Sequence, residues 1–271
     1  MTKQILSVER VIDQKLGKRA HLVPKWLVSW RKKTIHQDEM NRYLTRVDGM
    51  TGIPWLKETV KYLDFHVTVE GEENLPPADK GPYTFVCNHP LGGPDGIAIG
   101  AELGSRYDGR LKYIVNDILM FIPGLKPLCI PVNVTGSQSR SMPRLIEQGF
   151  ASDDNILMFP AGLCSRKIHG EIHDLPWRKT FITKSVQYKR DVVPMHFSGR
   201  NSDRFYRLAS FCKAIHSPVN IAMLFLPDEC YRNAHGHFTL KIGKPIPWQT
   251  FDKTHTPAEW ARYVESICYS L

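Results

Sequence analysis

Apolar and polar positions along the chain follow two periods, and the order of those periods predicts the architecture. Leu22, Val23, Trp26, Leu27 and Trp30 recur at three- and four-residue spacings, one face of a helix whose first turn accommodates Pro24. Met40, Tyr43, Leu44 and Val47 keep the helical spacing, residues 49–54 interrupt it, and residues 55–65 resume it. Residues 65–69 alternate like a strand, and 72–81, with Pro76 and Pro77, read as a turn. From there strands and helices take turns. Strands are predicted over 83–87, 112–115, 129–134, 155–159, 191–197, 221–226 and 238–242. Helices are predicted over 95–103, 118–121, 141–150, 177–188 and 257–269. This alternation predicts an α/β fold over residues 66–271, with a central mixed, largely parallel sheet flanked by helices. Residues 1–65 precede it as a basic amphipathic helical segment.

Charge divides the chain at nearly the same place. The net charge is +9, from 36 Lys and Arg against 27 Asp and Glu. Residues 1–33 hold nine basic and two acidic residues, so the other 238 carry only 27 against 25. Tryptophans flanked by Lys and Arg suit the interface of an anionic membrane, where rings lie at headgroup level and cations meet lipid charges. The bland alternative is a helix packed on its own domain with a solvated basic face. A nucleic-acid partner is not expected, because no nucleic-acid module follows and the remainder is nearly neutral. The longest stretches free of Asp, Glu, Lys and Arg are 14 residues, 81–94 and 214–227. A spanning helix needs about 20. Charges throughout the first 16 residues are unlike a secretory leader. The six cysteines, at 87, 129, 164, 212, 230 and 268, lack CxxC spacing and read as free thiols.

Two strand ends carry the candidate chemistry. The run from Phe85 to Cys87 ends in Asn88-His89-Pro90-Leu91-Gly92-Gly93-Pro94-Asp95. Ligands of open α/β sheets bind at the C-terminal ends of strands. An imidazole beside a carboxylate has its tautomer fixed and can take a proton from a hydroxyl, so His89 and Asp95 are the candidate catalytic pair. Gly92 and Gly93 leave room for a substrate against the backbone. The second run, from Ile156, ends in Phe159-Pro160-Ala161-Gly162-Leu163-Cys164-Ser165-Arg166-Lys167. Its cations could hold a phosphate or carboxylate. Asn88, Gly92, Gly93, Phe159, Pro160, Gly162, Ser165, Arg166 and Lys167 are therefore the candidate substrate contacts. Arg140 is a second choice of cation. Lys179, in the helix start at Asp174, Trp177, Arg178 and Lys179, could add to an anion pocket or belong to a solvated face. His169 and His173 have a metal-like spacing, but Gly170 disfavours a helix and no third ligand is evident, so no metal is expected. No glycine-rich nucleotide loop is present.

The Asn88-His89…Asp95 stretch resembles the His-and-Asp motif of the lysophospholipid (glycerolipid) acyltransferase superfamily. Phe159-Pro160-Ala161-Gly162 resembles its Phe-Pro-Glu-Gly block, and Val193-Pro194 its last block. The order agrees over about residues 65–200. Asn88 to Gly93, Phe159 to Lys167 and Phe197-Ser198-Gly199-Arg200-Asn201 are most similar to a bacterial subgroup often labelled hemolysin or glycerol acyltransferase. That subgroup includes O-acyltransferases of ornithine- and glycine-lipid synthesis. The resemblance implies that His89 and Asp95 deprotonate the hydroxyl of a monoacylated lipid, which attacks an acyl thioester on acyl carrier protein or coenzyme A. It implies no cofactor beyond that co-substrate. The basic N-terminal helices are expected to dock the protein as a peripheral enzyme on the cytoplasmic face of the inner membrane. The chain departs from the family pattern in three places. Five residues separate His89 from Asp95 where four are usual. Ala161 stands where Glu is usual. Leu163-Cys164 replace the usual Thr-Arg, with Arg166 two positions on. These departures point away from glycerol 3-phosphate and toward an amino-acid lipid or another lysolipid. They also motivate the competing reading, a catalytically silent lipid-binding protein at the membrane surface.

Overall fold

The computed structural model describes residues 7–132, 142–215 and 221–271. Four helices open the chain: α1 (Val8–Leu16), α2 (Lys25–Thr34), α3 (Gln37–Arg46) and α4 (Gly52–Tyr62). Strand β1 (His66–Glu70) follows, then β2 (Thr84–Cys87), α5 (Pro94–Arg106), β3 (Leu111–Asn116), β4 (Cys129–Val132), α6 (Met142–Ala151) and β5 (Asn155–Met158). A small hairpin, β6 (Arg166–Ile168) with β7 (Glu171–His173), leads to α7 (Thr180–Tyr188) and β8 (Val192–Phe197). The chain ends with α8 (Asp203–Ala214), α9 (Leu226–Arg232), β9 (His237–Ile242) and α10 (Pro257–Ser270).

Seven strands form one sheet in the order β1-β9-β8-β2-β5-β3-β4. Of its pairings only β8 with β9 is antiparallel, so the sheet is mixed and largely parallel as the alternation predicts. β2 lies in the middle, between β5 and β8, and all four of its residues are buried. A parallel strand covered on both faces has this unbroken apolar composition. Successive side chains still point to opposite faces. Phe85 and Cys87 join the cluster under α4 and α5, with Leu157, Val193 and Met195. Val86 joins the other cluster, with Ile156, Met158, Phe181 and Val264. Thr84 puts a hydroxyl into that apolar setting, and Ser185 Oγ donates to it at 2.9 Å.

Residues 37–65 pack into this core. Tyr43, Leu44, Val47, Trp55, Leu56 and Leu63 are buried in the same cluster as Phe85 and Phe197, so packing is continuous across residue 65. Helix α2 differs, because none of its residues is buried.

Three elements differ from the sequence expectation. Residues 221–226 form a 3-10 turn, Ile221–Phe225, that runs into α9, rather than a strand. A short apolar run does not by itself separate strand from helix, and Pro227 sits well in a first helical turn. The hairpin β6–β7 occupies what read as loop, with His169 and Gly170 at positive φ in its tip. Helix α8, capped by the Ser202 side chain, follows what read as a strand end. Arg140 lies outside the described residues.

Candidate active site

Pairing registers bring the two predicted strand ends together. Val86 is opposite Met158 on one side and Pro194 on the other, so Asn88-His89, Phe159-Pro160 and Ser198 leave the sheet at one edge. Asn88 is buried and locks this edge. Its Nδ2 donates to the Phe197 carbonyl at 2.9 Å, and its Oδ1 accepts from the Phe197 N–H at 2.7 Å. Its role here is to join β2 to β8.

His89 and Asp95 meet despite the extra residue between them. His89 Nδ1 lies 3.0 Å from Asp95 Oδ2. The carboxylate, wholly buried, also accepts from the backbone N–H of Leu91 at 3.0 Å, Gly92 at 3.2 Å and Gly96 at 2.8 Å. Gly92 absorbs the added length by turning through φ +84, where a side chain is strained. A Cβ there would also press on the Leu226 methyls at 3.0 Å. At Gly93, by contrast, a Cβ would meet only Cys230 Sγ at 4.0 Å, so room against the backbone exists at Gly93 rather than Gly92.

The Asp95 carboxylate holds the His89 ring by one edge, and Phe159 stacks on its face at 4.1 Å. The His89 side chain keeps 17% exposure. Burial opposes the imidazolium, but the charge and hydrogen bond of Asp95, with the charge of Asp174, outweigh burial and lift the His89 pKa, while Arg166 acts against them. Burial likewise opposes the Asp95 anion, and His89 together with the Leu91 and Gly92 N–H groups holds its pKa below the ordinary carboxylate value. The thiols beside them are inert as nucleophiles at neutral pH: burial pushes Cys164 up to about 11 and Cys230 up to about 12.

Asp174 is the residue whose position the sequence does not disclose. Buried at the end of β7, it accepts from the His89 backbone N–H at 3.2 Å, from Ser165 Oγ at 2.6 Å and from Trp177 Nε1 at 3.0 Å. Ser165 N–H in turn donates to the His89 carbonyl at 2.8 Å. Ser165 thus helps fix the histidine loop against the hairpin.

The cations divide. Arg166 donates to the carbonyls of Cys164 and Ser165, and its guanidinium lies 5.5 Å from the Phe205 ring centroid. Lys167 is exposed on the hairpin. Arg178 reads in sequence only as part of a helix start, and no ligand-binding role is assigned to it there. In the structure its guanidinium carbon lies 3.4 Å from where a Gly162 Cβ would stand, and its backbone N–H donates to the Pro160 carbonyl at 3.1 Å. Ala161, in the place of the family's glutamate, is buried. Among the described residues no group of three or more His, Cys, Asp and Glu is arranged to hold a metal ion, and His173 stacks on Tyr269 at 3.9 Å.

A histidine paired through Nδ1 to a buried carboxylate, at the C-terminal edge of a largely parallel sheet, is equipped to deprotonate a hydroxyl. Residues 10–271 match the model of a family described as acyltransferase, and the chain belongs to that family and is an acyltransferase. It is 54% identical over 267 residues to a lyso-glycine lipid O-acyltransferase of Phocaeicola vulgatus, covering 98% of this chain and 95% of that protein. It is equally identical to the lyso-glycine lipid O-acyltransferase of Bacteroides thetaiotaomicron, over 98% and 97% of the two chains. The crystal structure of the 1-acyl-sn-glycerophosphate acyltransferase PlsC of Thermotoga maritima shares the fold, with a TM-score of 0.51 at 17% identity over 97% of this chain and 93% of that one.

Proposed function

We propose that this acyltransferase moves a fatty acyl group from a thioester, on acyl carrier protein or coenzyme A, to the hydroxyl of lyso-glycine lipid. The observation that carries the chemistry is the 3.0 Å contact of His89 Nδ1 with buried Asp95. With Nδ1–H donated to the carboxylate, Nε2 bears the lone pair and takes the acceptor's hydroxyl proton. The oxygen attacks the thioester carbonyl, the new C–O bond forms, the C–S bond breaks, and the proton passes from Nε2 to the departing sulfur. Asp95 stabilises the imidazolium between these steps. No cofactor or metal takes part.

The identity to two lyso-glycine lipid O-acyltransferases supports this acceptor. The placement of the cations is consistent with it: with Arg166 tied to backbone carbonyls, exposed Arg178 beside Gly162 is a guanidinium open to a glycine carboxylate. The enzyme works as a peripheral protein on the cytoplasmic face of the inner membrane. Its basic N-terminal helices, with Trp26 70% exposed, touch anionic lipid. None of the described helices is long and apolar enough to cross a membrane. The test supplies the purified chain with vesicles of lyso-glycine lipid or lysophosphatidic acid and acyl carrier protein or coenzyme A thioesters. Diacyl glycine lipid should form, and His89→Ala should abolish it. Failure on lyso-glycine lipid with both donors, or an unaffected His89→Ala variant, overturns the reading.

A further inference from the structure

The large apolar side chains that remain exposed among the described residues are not scattered. Five of the seven lie on two helical regions: Leu22, Trp26 and Trp30 on α2 and its approach, and Phe211 and Ile215 at the C-terminal end of α8. The two helices are distant in sequence and meet at the N-terminal end of α8, about two helical turns from Phe211. Trp30 meets the Phe225 ring edge-on at 5.5 Å, and the Arg204 guanidinium, from the first turn of α8, lies 4.8 Å from the same ring.

Helix α8 is apolar on two sides. Phe205, Tyr206, Ala209 and Cys212 face inward and are buried with Cys164 and Ala222. Arg166, from the candidate active-site loop, lies against Phe205 and Met223. The 3-10 turn that packs on α8 continues into α9, whose Leu226 sits over Gly92. This layer therefore covers the His89 loop. On the other side Phe211 is 59% exposed and Ile215 54% exposed, a helical turn apart, with exposed Arg207 one turn before Phe211 on the same face. The helix's one acid, Asp203, is at the opposite end and pairs with Arg200. A solvated face has no use for two large apolar groups beside a cation, and two like-charged copies of it would repel. An anionic bilayer accepts both features, the apolar groups below its headgroups and the cation among them.

We propose that the exposed end of α8 is a second membrane-contacting element, acting with α2 to seat the cover of the His89 site on an anionic lipid surface. It extends the membrane-surface part of the proposed function and does not depend on the acyl-transfer chemistry. Phe211 and Ile215 enter the interfacial layer, which places the covering layer against the leaflet that supplies a lipid acceptor.

The experiment is co-sedimentation of the full chain with vesicles of phosphatidylglycerol and phosphatidylcholine, for wild type and for Phe211→Asp/Ile215→Asp. Both side chains are exposed, so the doubly substituted chain should keep its circular dichroism and Tm. A Phe211→Ser/Ile215→Ser variant repeats the measurement without added negative charge. Partition should fall roughly ten- to hundred-fold for the Asp variant, from the apolar transfer lost. The Ser variant should retain a clear loss in high salt, where electrostatic attraction is screened. Wild-type partition by the Ser variant overturns the proposal, as does a change of oligomeric state without a change in vesicle binding, which would make the occupant a second copy. A wild-type chain that binds the vesicles through α8 but transfers no acyl group removes the proposed reaction and leaves this surface standing.

Discussion

The surroundings of His89 and the α2–α8 edge are built in opposite ways. Around His89 the two carboxylates are held by several donors each: Asp95 accepts from one ring nitrogen and three backbone N–H groups, and Asp174 from a backbone N–H, a hydroxyl and an indole. At the α2–α8 edge, Trp26, Phe211 and Ile215 extend into solvent. The difference is physical. Proton transfer requires groups fixed before substrate arrives, because misplaced groups raise the barrier. Adhesion to a fluid bilayer requires exposed apolar and cationic groups, and tolerates loose geometry. Substitutions at the first region should therefore act steeply and individually, and those at the second mildly and cumulatively.

His89→Ala should have the largest effect, lowering kcat for acyl transfer by about 10²–10⁴-fold, read by product formation under saturating substrate. Asp95→Asn comes next. Its amide would turn a donor toward donors already aimed at Asp95, and the His89 tautomer would no longer be fixed, so kcat should fall by up to about 10⁴-fold. A rate within a factor of two of wild type for either variant would remove the contrast. Gly92→Ala should act through the fold, destabilising by about 1–3 kcal/mol in denaturant titration, because φ +84 strains any side chain and Leu226 crowds the Cβ.

The pH profile tests how far the first region tunes its histidine. The reactive form is neutral His89, and Asp95 lifts its pKa above the ordinary imidazole value of about 6.5. kcat/KM should therefore rise with pH through an ionisation above that value. Asp174→Asn removes a charge that favours the imidazolium, so the midpoint should move to lower pH; a fixed midpoint would make Asp174 purely structural. The smallest effect belongs to the second region. Lys33→Gln, which removes one charge, should weaken partition onto anionic vesicles by several-fold, on the order of 1 kcal/mol, and the loss should shrink as salt is raised.

Much of the sheet was legible in the sequence because β2, β5 and β8 are apolar runs of strand length bounded by Gly, Pro and Asn. His89 and Phe159 were legible as strand-end residues for the same reason. What failed had no such signature. The run at 221–226 is apolar whether it becomes strand or helix; it is helical, running into a helix whose first turn holds Pro227, and its Leu226 lies against Gly92. The hairpin β6–β7 is short and polar, and carries its positive-φ tip at His169-Gly170.

By itself the sequence determined the alternation of strands and helices, the concentration of most of its excess positive charge in the first 33 residues, and the family resemblance at Asn88-His89…Asp95 and Phe159-Pro160-Ala161-Gly162. Those properties are local: they depend on residue type and spacing along one strand of chain. Only the tertiary structure decided that Gly92 absorbs the extra loop residue, that Asp174 reaches back 85 positions to the His89 N–H, that Arg166 is bound by carbonyls while Arg178 is exposed beside Gly162, and that α8 both covers the site and exposes Phe211. Each depends on contacts between segments distant in sequence, and their distances are set by packing rather than by spacing.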